Sequence, residues 1–183
     1  MNWPNALTLF RIFLLPVFLI AVIYNRVGIA LILFLLAAVT DLLDGLLARR
    51  LRQETKLGLY LDPVADKLLM TVAFVALTVK GWLPAWLAVL VVSRDLFIIL
   101  GVAIVHFSGQ KLNLAPTTWG KQTTVLQALF IIVALTAAAS ARGGFLLMPL
   151  AVLTGFATIF SGVHYVLHGL RAFPAGGGPG RLG

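Results

Sequence analysis

Six stretches of about twenty apolar residues, at 7–24, 27–47, 61–79, 82–105, 123–141 and 145–167, follow one another with only short polar breaks. Each is close to the length that carries a helix across a hydrocarbon core. The runs are continuous and do not alternate every second residue, which argues against a transmembrane β-barrel. Composition agrees: only 11% of the residues are charged, against the roughly 25% that a water-facing domain uses to cover its surface. The expected architecture is an all-α integral membrane protein, a six-transmembrane-helix bundle. No cysteine is present, so disulfide and thiol chemistry are excluded.

A formal net charge of +8 on a soluble chain would suggest a nucleic-acid partner. Here it reads as topology, with basic loops held at an anionic membrane face and no nucleic acid involved. With the N-terminus inside, the cytoplasmic segments carry Arg49, Arg50, Arg52, Lys56, Lys111, Lys121, Arg171 and Arg181. The opposite loops carry only Arg26, Lys80 and Arg142, in keeping with the positive-inside rule. The first run could pass for a secretory leader, but Arg11 lies within it and Asn5, Thr8 and Arg11 recur every third residue, as on one face of a retained helix. Residues 1–170 are expected to form one membrane domain and 171–183 a disordered Gly/Pro-rich tail.

Five of the six acidic residues fall between positions 41 and 66, four of them aspartates. Asp41 and Asp44, three apart, share a face at the end of the second run; Asp62 and Asp66, four apart, share one at the start of the third. A short loop between the runs predicts antiparallel neighbours whose acids converge on one polar pocket facing the cytoplasm. Four carboxylates at a bilayer edge repel and resist ionisation unless something positive compensates them. Arg49 and Lys67 are the only basic residues clearly inside the cluster, with Arg50, Arg52 and Lys56 in the loop between the pairs. Hard divalent cations are therefore the better match, since they bind carboxylate and phosphate oxygens together. Two such ions would clamp a phosphoryl group undergoing displacement. Gly45 and Ala48 continue the same face and leave room for a ligand, with Arg49 at the height of its phosphates. A single intramembrane aspartate is often structural; four at this spacing, interleaved with small residues, point to chemistry.

The stretch Asp41-Leu-Leu-Asp44-Gly45-Leu-Leu-Ala48-Arg49, then Gly58, Asp62 and Asp66, resembles the CDP-alcohol phosphotransferase signature D-x2-D-G-x2-A-R-x8-G-x3-D-x3-D at all eight fixed positions. The likeness extends from Pro4-Asn5-Ala6-Leu7-Thr8-Leu9-Phe10-Arg11 through Ser93-Arg94-Asp95 to Gly120-Lys121-Gln122-Thr123-Thr124. It implies a homodimeric six-helix enzyme of the cytoplasmic (inner) membrane, with CDP-diacylglycerol as donor and two divalent cations, Mg²⁺ or Mn²⁺, as cofactors. Asp41, Asp44, Asp62 and Asp66 would be the metal residues and Asp66 the catalytic base. Asp41, Gly45, Ala48, Arg49 and Gly58 would line the donor site, and Thr8, Arg11, Arg94 and Lys121 the acceptor site.

The resemblance points to the phosphatidylglycerol/cardiolipin branch, with either glycerol 3-phosphate or phosphatidylglycerol as acceptor. Members that use glycerol 3-phosphate usually carry a second Lys in a G-K-x-K-T pattern, where this chain has Thr123, and Arg-Glu where it has Arg94-Asp95. The sequences around Thr40 and Ser93 look more like the cardiolipin-forming members, whose acceptor is a monoanionic diester. Inositol phosphate or serine are the alternative acceptors. Rival classes are an ion-coupled transporter, which predicts acids near the bilayer midplane and broken helices, and a catalytically silent lipid-binding scaffold. His164 and His168 have zinc-helix spacing, but Tyr165 stands where a metalloprotease needs Glu, so they read as interfacial. Trp3, Trp82, Trp86 and Trp119 near helix ends read as interfacial anchors.

Overall fold

A computed structural model gives six α-helices among the described residues: α1 Trp3–Ile23, α2 Val27–Leu51, α3 Lys56–Val79, α4 Ala85–Phe107, α5 Thr118–Ser140 and α6 Gly144–Ala172. It describes residues 3–51, 56–107, 118–140 and 144–172, with side chains over 9–41, 67–101, 119–140 and 144–167. Each apolar run is therefore a helix, but the ends differ from the hydropathy boundaries. The break expected over 49–57 is mostly helical, since α2 continues to Leu51 and α3 starts at Lys56. Hydropathy marks where an apolar surface stops; the backbone ladder continues until it is capped. Likewise α6 runs on to Ala172, and the tail 173–183 lies outside the described residues.

Two of these ends are set by local sequence. Asn25 and Gly81 have positive φ, 56° and 71°, the conformation that closes a helix in a Schellman motif. After α1, Arg26 N–H donates to the Ala21 carbonyl at 2.8 Å and Asn25 N–H to that of Val22 at 3.1 Å. After α3, Trp82 N–H donates to Leu77 and Gly81 N–H to Thr78, both at 2.9 Å. Lys80 Nζ then reaches across to the Ile23 carbonyl at 2.7 Å and ties the two caps together.

Contacts between side chains give the helix directions. Arg11 meets Asp41 while Phe18 meets Phe34, so α1 and α2 run antiparallel. Trp119 meets Phe160 while Gln127 meets Thr158, which makes α5 and α6 antiparallel as well. Trp86 lies on Gly155 while Arg94 lies on Gly162 and Ser161, so α4 and α6 run parallel. Among the described residues α1 packs against both α2 and α3, α5 against α2, α3 and α6, and α4 against α3 and α6. The first helix thus packs against both α2 and α3, whose facing ends carry side chains outside those described. Covalent geometry still limits the facing ends: Leu51 and Lys56 are five peptide steps apart, at most about 18 Å.

The core is assembled from Phe18 and Val22 of α1, Phe34 of α2, Phe74 and Leu77 of α3, Leu87 of α4, and Phe130 and Leu135 of α5, all essentially inaccessible. The rings of Phe18 and Phe34 lie 6.1 Å apart, and those of Phe74 and Phe130 6.3 Å apart. α6 contributes a face of small residues, Ala151, Thr154, Gly155, Thr158 and Ser161, all buried. Small side chains let helices approach closely where lipid supplies no hydrophobic drive to pack them. At Gly155 the approach is extreme, because an added Cβ would stand 2.7 Å from the Trp86 ring. The outer surface is as apolar as the interior, with Phe13, Phe97, Phe145, Phe156 and Val163 among many exposed large side chains. Such a surface is a liability in water and ordinary against lipid. Two helical segments, Trp119–Ser140 and Gly144–Leu167, are long and apolar enough, among the described residues, to cross a membrane.

Candidate active site

The alternation of helix directions brings the N-terminal half of α1, the C-terminal end of α2, the N-terminal part of α3 and the C-terminal part of α4 to one end of the bundle. Two ionic groups are built on the way to that end, near the middle of their helices.

The first joins α1 and α2. Arg11 is completely buried, and its Nη1 lies 2.7 Å from Asp41 Oδ1. The Asp41 side chain keeps 48% of its surface open. A carboxylate offers about four lone-pair positions on two oxygens, so Asp41 can pair with Arg11 and still present hard oxygen to a cation. Its donor chemistry therefore fits a divalent ion, and the ion pair with the buried guanidinium restrains one of its oxygens. Sequence reasoning had counted only Arg49 and Lys67 as cations within the acidic cluster. Arg11 was overlooked there, because nothing in the primary structure says that α1 lies against the end of α2.

The second group joins α3, α4 and α6. Asp95, only 3% exposed, accepts from Lys67 Nζ at 2.9 Å and from Arg94 Nη1 at 2.6 Å, both on Oδ1. Arg94 Nη2 donates to Ser161 Oγ at 2.9 Å, and both residues are buried. Lys67 is thus engaged by an aspartate of α4. A neutral counterpart links α5 and α6: Gln127 Nε2 donates to Thr158 Oγ1 at 3.0 Å, which donates onward to the Thr154 carbonyl at 2.7 Å.

The remaining sequence-assigned positions are placed by their helices alone. Asp44, Gly45, Ala48 and Arg49 lie on α2, Gly58, Asp62 and Asp66 on α3, and Thr8 on α1; their side chains are outside those described. Lys121 is exposed near the start of α5. Arg94 lines a groove of about 340 Å³ between α4 and α6, walled by Phe97, Ile98, Ile159, Val163 and Tyr165; among the described residues neither Lys121 nor a carboxylate lines it. The proposed acceptor residues are therefore distributed: Arg11 beside Asp41, Arg94 against α6, and Lys121 facing outward. His164 faces the Phe160 ring at 6.4 Å, and Trp119 meets the same ring edge-on at 5.1 Å. His168 lies on α6, with its side chain outside those described.

Residues 1–160 match the CDP-alcohol phosphatidyltransferase family. The chain belongs to that family. It is accordingly a transferase of phospholipid biosynthesis, and the apolar exterior suits a family of membrane enzymes. Similar proteins include a probable phosphatidylglycerophosphate synthase of Mycobacterium tuberculosis, 36% identical over 93% of this chain and 82% of its own length. A CDP-diacylglycerol–glycerol-3-phosphate 3-phosphatidyltransferase of Haemophilus influenzae is 39% identical over 70% of this chain and 72% of its own length. The CMP-forming cardiolipin synthase of Homo sapiens is 42% identical, over 57% of this chain and 35% of its own length.

Proposed function

We propose that this phosphatidyltransferase moves the phosphatidyl group of CDP-diacylglycerol to the hydroxyl of glycerol 3-phosphate and releases cytidine monophosphate. The observation that carries this reading is extent: the likeness to a relative named for phosphatidylglycerophosphate synthesis runs along 93% of the chain, whereas the likeness to the cardiolipin synthase covers 57%. A second reading, phosphatidylglycerol as acceptor and cardiolipin as product, is favoured by one feature. Arg94 is already engaged by Asp95 and Ser161, and its net contribution suits a monoanion better than a dianion.

In this reading Asp41, Asp44, Asp62 and Asp66 hold two divalent cations, Mg²⁺ or Mn²⁺. Bound there, the ions neutralise the charge of the donor's diphosphate. Arg11 aims the Asp41 carboxylate. Gly45, Ala48 and Gly58 leave space for the cytidine diphosphate, and Arg49 donates to its phosphates. Thr8 and Lys121 stand with Arg94 on the acceptor side. An oxygen of the Asp66 carboxylate takes the proton of the attacking hydroxyl. A new bond forms between that hydroxyl oxygen and the phosphorus carrying the lipid, and the bond to cytidine monophosphate breaks, the electron pair leaving with the nucleotide. Phosphoryl transfer asks for positioning and charge balance more than for covalent help from the protein.

The surrounding assembly follows the same reading: all six helices span the inner membrane of a homodimer, and the polar pocket opens to the cytoplasm. The basic bias of the cytoplasmic segments and the apolar exterior support it. The test is one assay with purified protein in lipid, labelled CDP-diacylglycerol and Mg²⁺ or Mn²⁺. Glycerol 3-phosphate, phosphatidylglycerol, inositol phosphate and serine are supplied separately. Release of cytidine monophosphate with glycerol 3-phosphate is expected; release with phosphatidylglycerol alone would move the assignment to the second reading.

A further inference from the structure

We infer that Asp95 is a positioning residue of the transfer reaction, acting through Lys67 on α3 and through Arg94 on α6; the inference rests on the phosphatidyl-transfer reading above. One oxygen of Asp95 serves two cations from different helices, Lys67 at 2.9 Å and Arg94 at 2.6 Å. Arg94 extends the link to Ser161 at 2.9 Å, so three helices meet through a single carboxylate. The second oxygen, Oδ2, is buried and has no hydrogen-bond partner among the described residues. The direction of the carboxylate therefore depends on the two bonds made by Oδ1.

Stability alone does not account for such a group. Taking three charges out of water is costly, and apolar side chains of similar volume often hold helices together equally well. What an ionic group adds is registry. Lys67 directly follows Asp66 in the chain, and each helical residue turns the helix by about 100°. Anchoring Lys67 to α4 therefore sets the roll of α3 at the level where positions 62 and 66 lie. The other arm holds the Arg94 side chain against α6, where the Arg94 Cγ lies 3.5 Å from the site of a Cβ on Gly162. Asparagine at 95 would keep the shape but lose the charge that draws both cations to one oxygen. Glutamate would keep the charge with one more methylene.

The test measures CDP-diacylglycerol turnover by the full chain in lipid, with thermal midpoint measured on the same samples. Asp95→Asn is expected to lower kcat about 10- to 100-fold, the usual penalty for losing an orienting partner, with the donor KM changed by less than about threefold. Asp95→Glu is expected to recover a substantial part of that loss. Lys67→Met is expected to slow turnover as well, and the double variant to be little slower than the worse single one, since both act through one bond. Should Asp95→Asn fail to fold, Lys67→Met, at a side chain 24% exposed, supplies the same comparison. A thermal midpoint that falls while kcat per folded enzyme stays at the wild-type value overturns the inference and leaves Asp95 a packing residue. A wild-type chain silent with every acceptor overturns the transfer reading and this inference together.

Discussion

The two ends of the bundle are built on different principles. At one, Phe18 and Phe34 face each other, Asn25 and Gly81 close their helices with paired backbone hydrogen bonds, and Lys80 reaches the Ile23 carbonyl. Toward the other, a buried arginine pairs with Asp41, and two further cations share one aspartate oxygen. The first end can be read as stabilising: apolar contact and satisfied backbone. The second holds groups that packing alone would not select, since buried ions seldom improve on apolar side chains in stability. The contrast indicates a division of labour in which the aromatic end supplies rigidity that the ionic end uses to aim its charges. Strained or costly arrangements persist where the rest of the fold fixes them.

That contrast can be broken most decisively at the ionic end. Asp66→Asn is expected to reduce turnover by about 10²- to 10⁴-fold, the range for loss of a general base, while donor binding followed separately stays near wild type. Normal turnover in this variant would refute the base assignment. Next in size, Phe34→Ala at the aromatic end should cost about 3–5 kcal/mol of stability, seen as a lower thermal midpoint, with kcat well below that midpoint little changed. A selective loss of kcat there would erase the distinction between the ends. Arg11→Met should lower kcat about 10- to 100-fold and weaken divalent-ion-dependent donor binding, because Asp41 loses the group that orients it. Smallest is Gln127→Leu, which removes a neutral bond between α5 and α6. Interhelical hydrogen bonds in membranes average about 0.6 kcal/mol, so a slight drop in thermal midpoint with unchanged turnover is expected.

Much of this molecule was legible in the sequence, and the limits have physical causes. Six apolar runs gave six helices, because a backbone in an apolar surrounding must satisfy its own hydrogen bonds. Their ends were misplaced where polar residues continue the ladder, as at Lys56 and Thr118. Asp41 was recognisable from its spacing to Asp44, and the family from the full signature. The partners of these residues were not recognisable. Lys67 stands in the acidic stretch and bonds Asp95, and Arg11, expected on the acceptor side, pairs with Asp41. Both outcomes depend on which helices touch, and the packing of α1 against both α2 and α3 leaves no periodic trace. Ser161, Gln127 and Thr158 went unremarked for a similar reason, since isolated hydroxyl and amide groups in an apolar run carry no signal until a facing helix is known.

The place of α1 also has a bearing on biosynthesis. Helix α1 packs against α2 and α3, both of which follow it in the chain and are made after it. Arg11 is thus made before Asp41, and the aromatic contact of Phe18 waits for Phe34. Final docking of the leading segment is consequently a late event, complete only after the third helix has emerged.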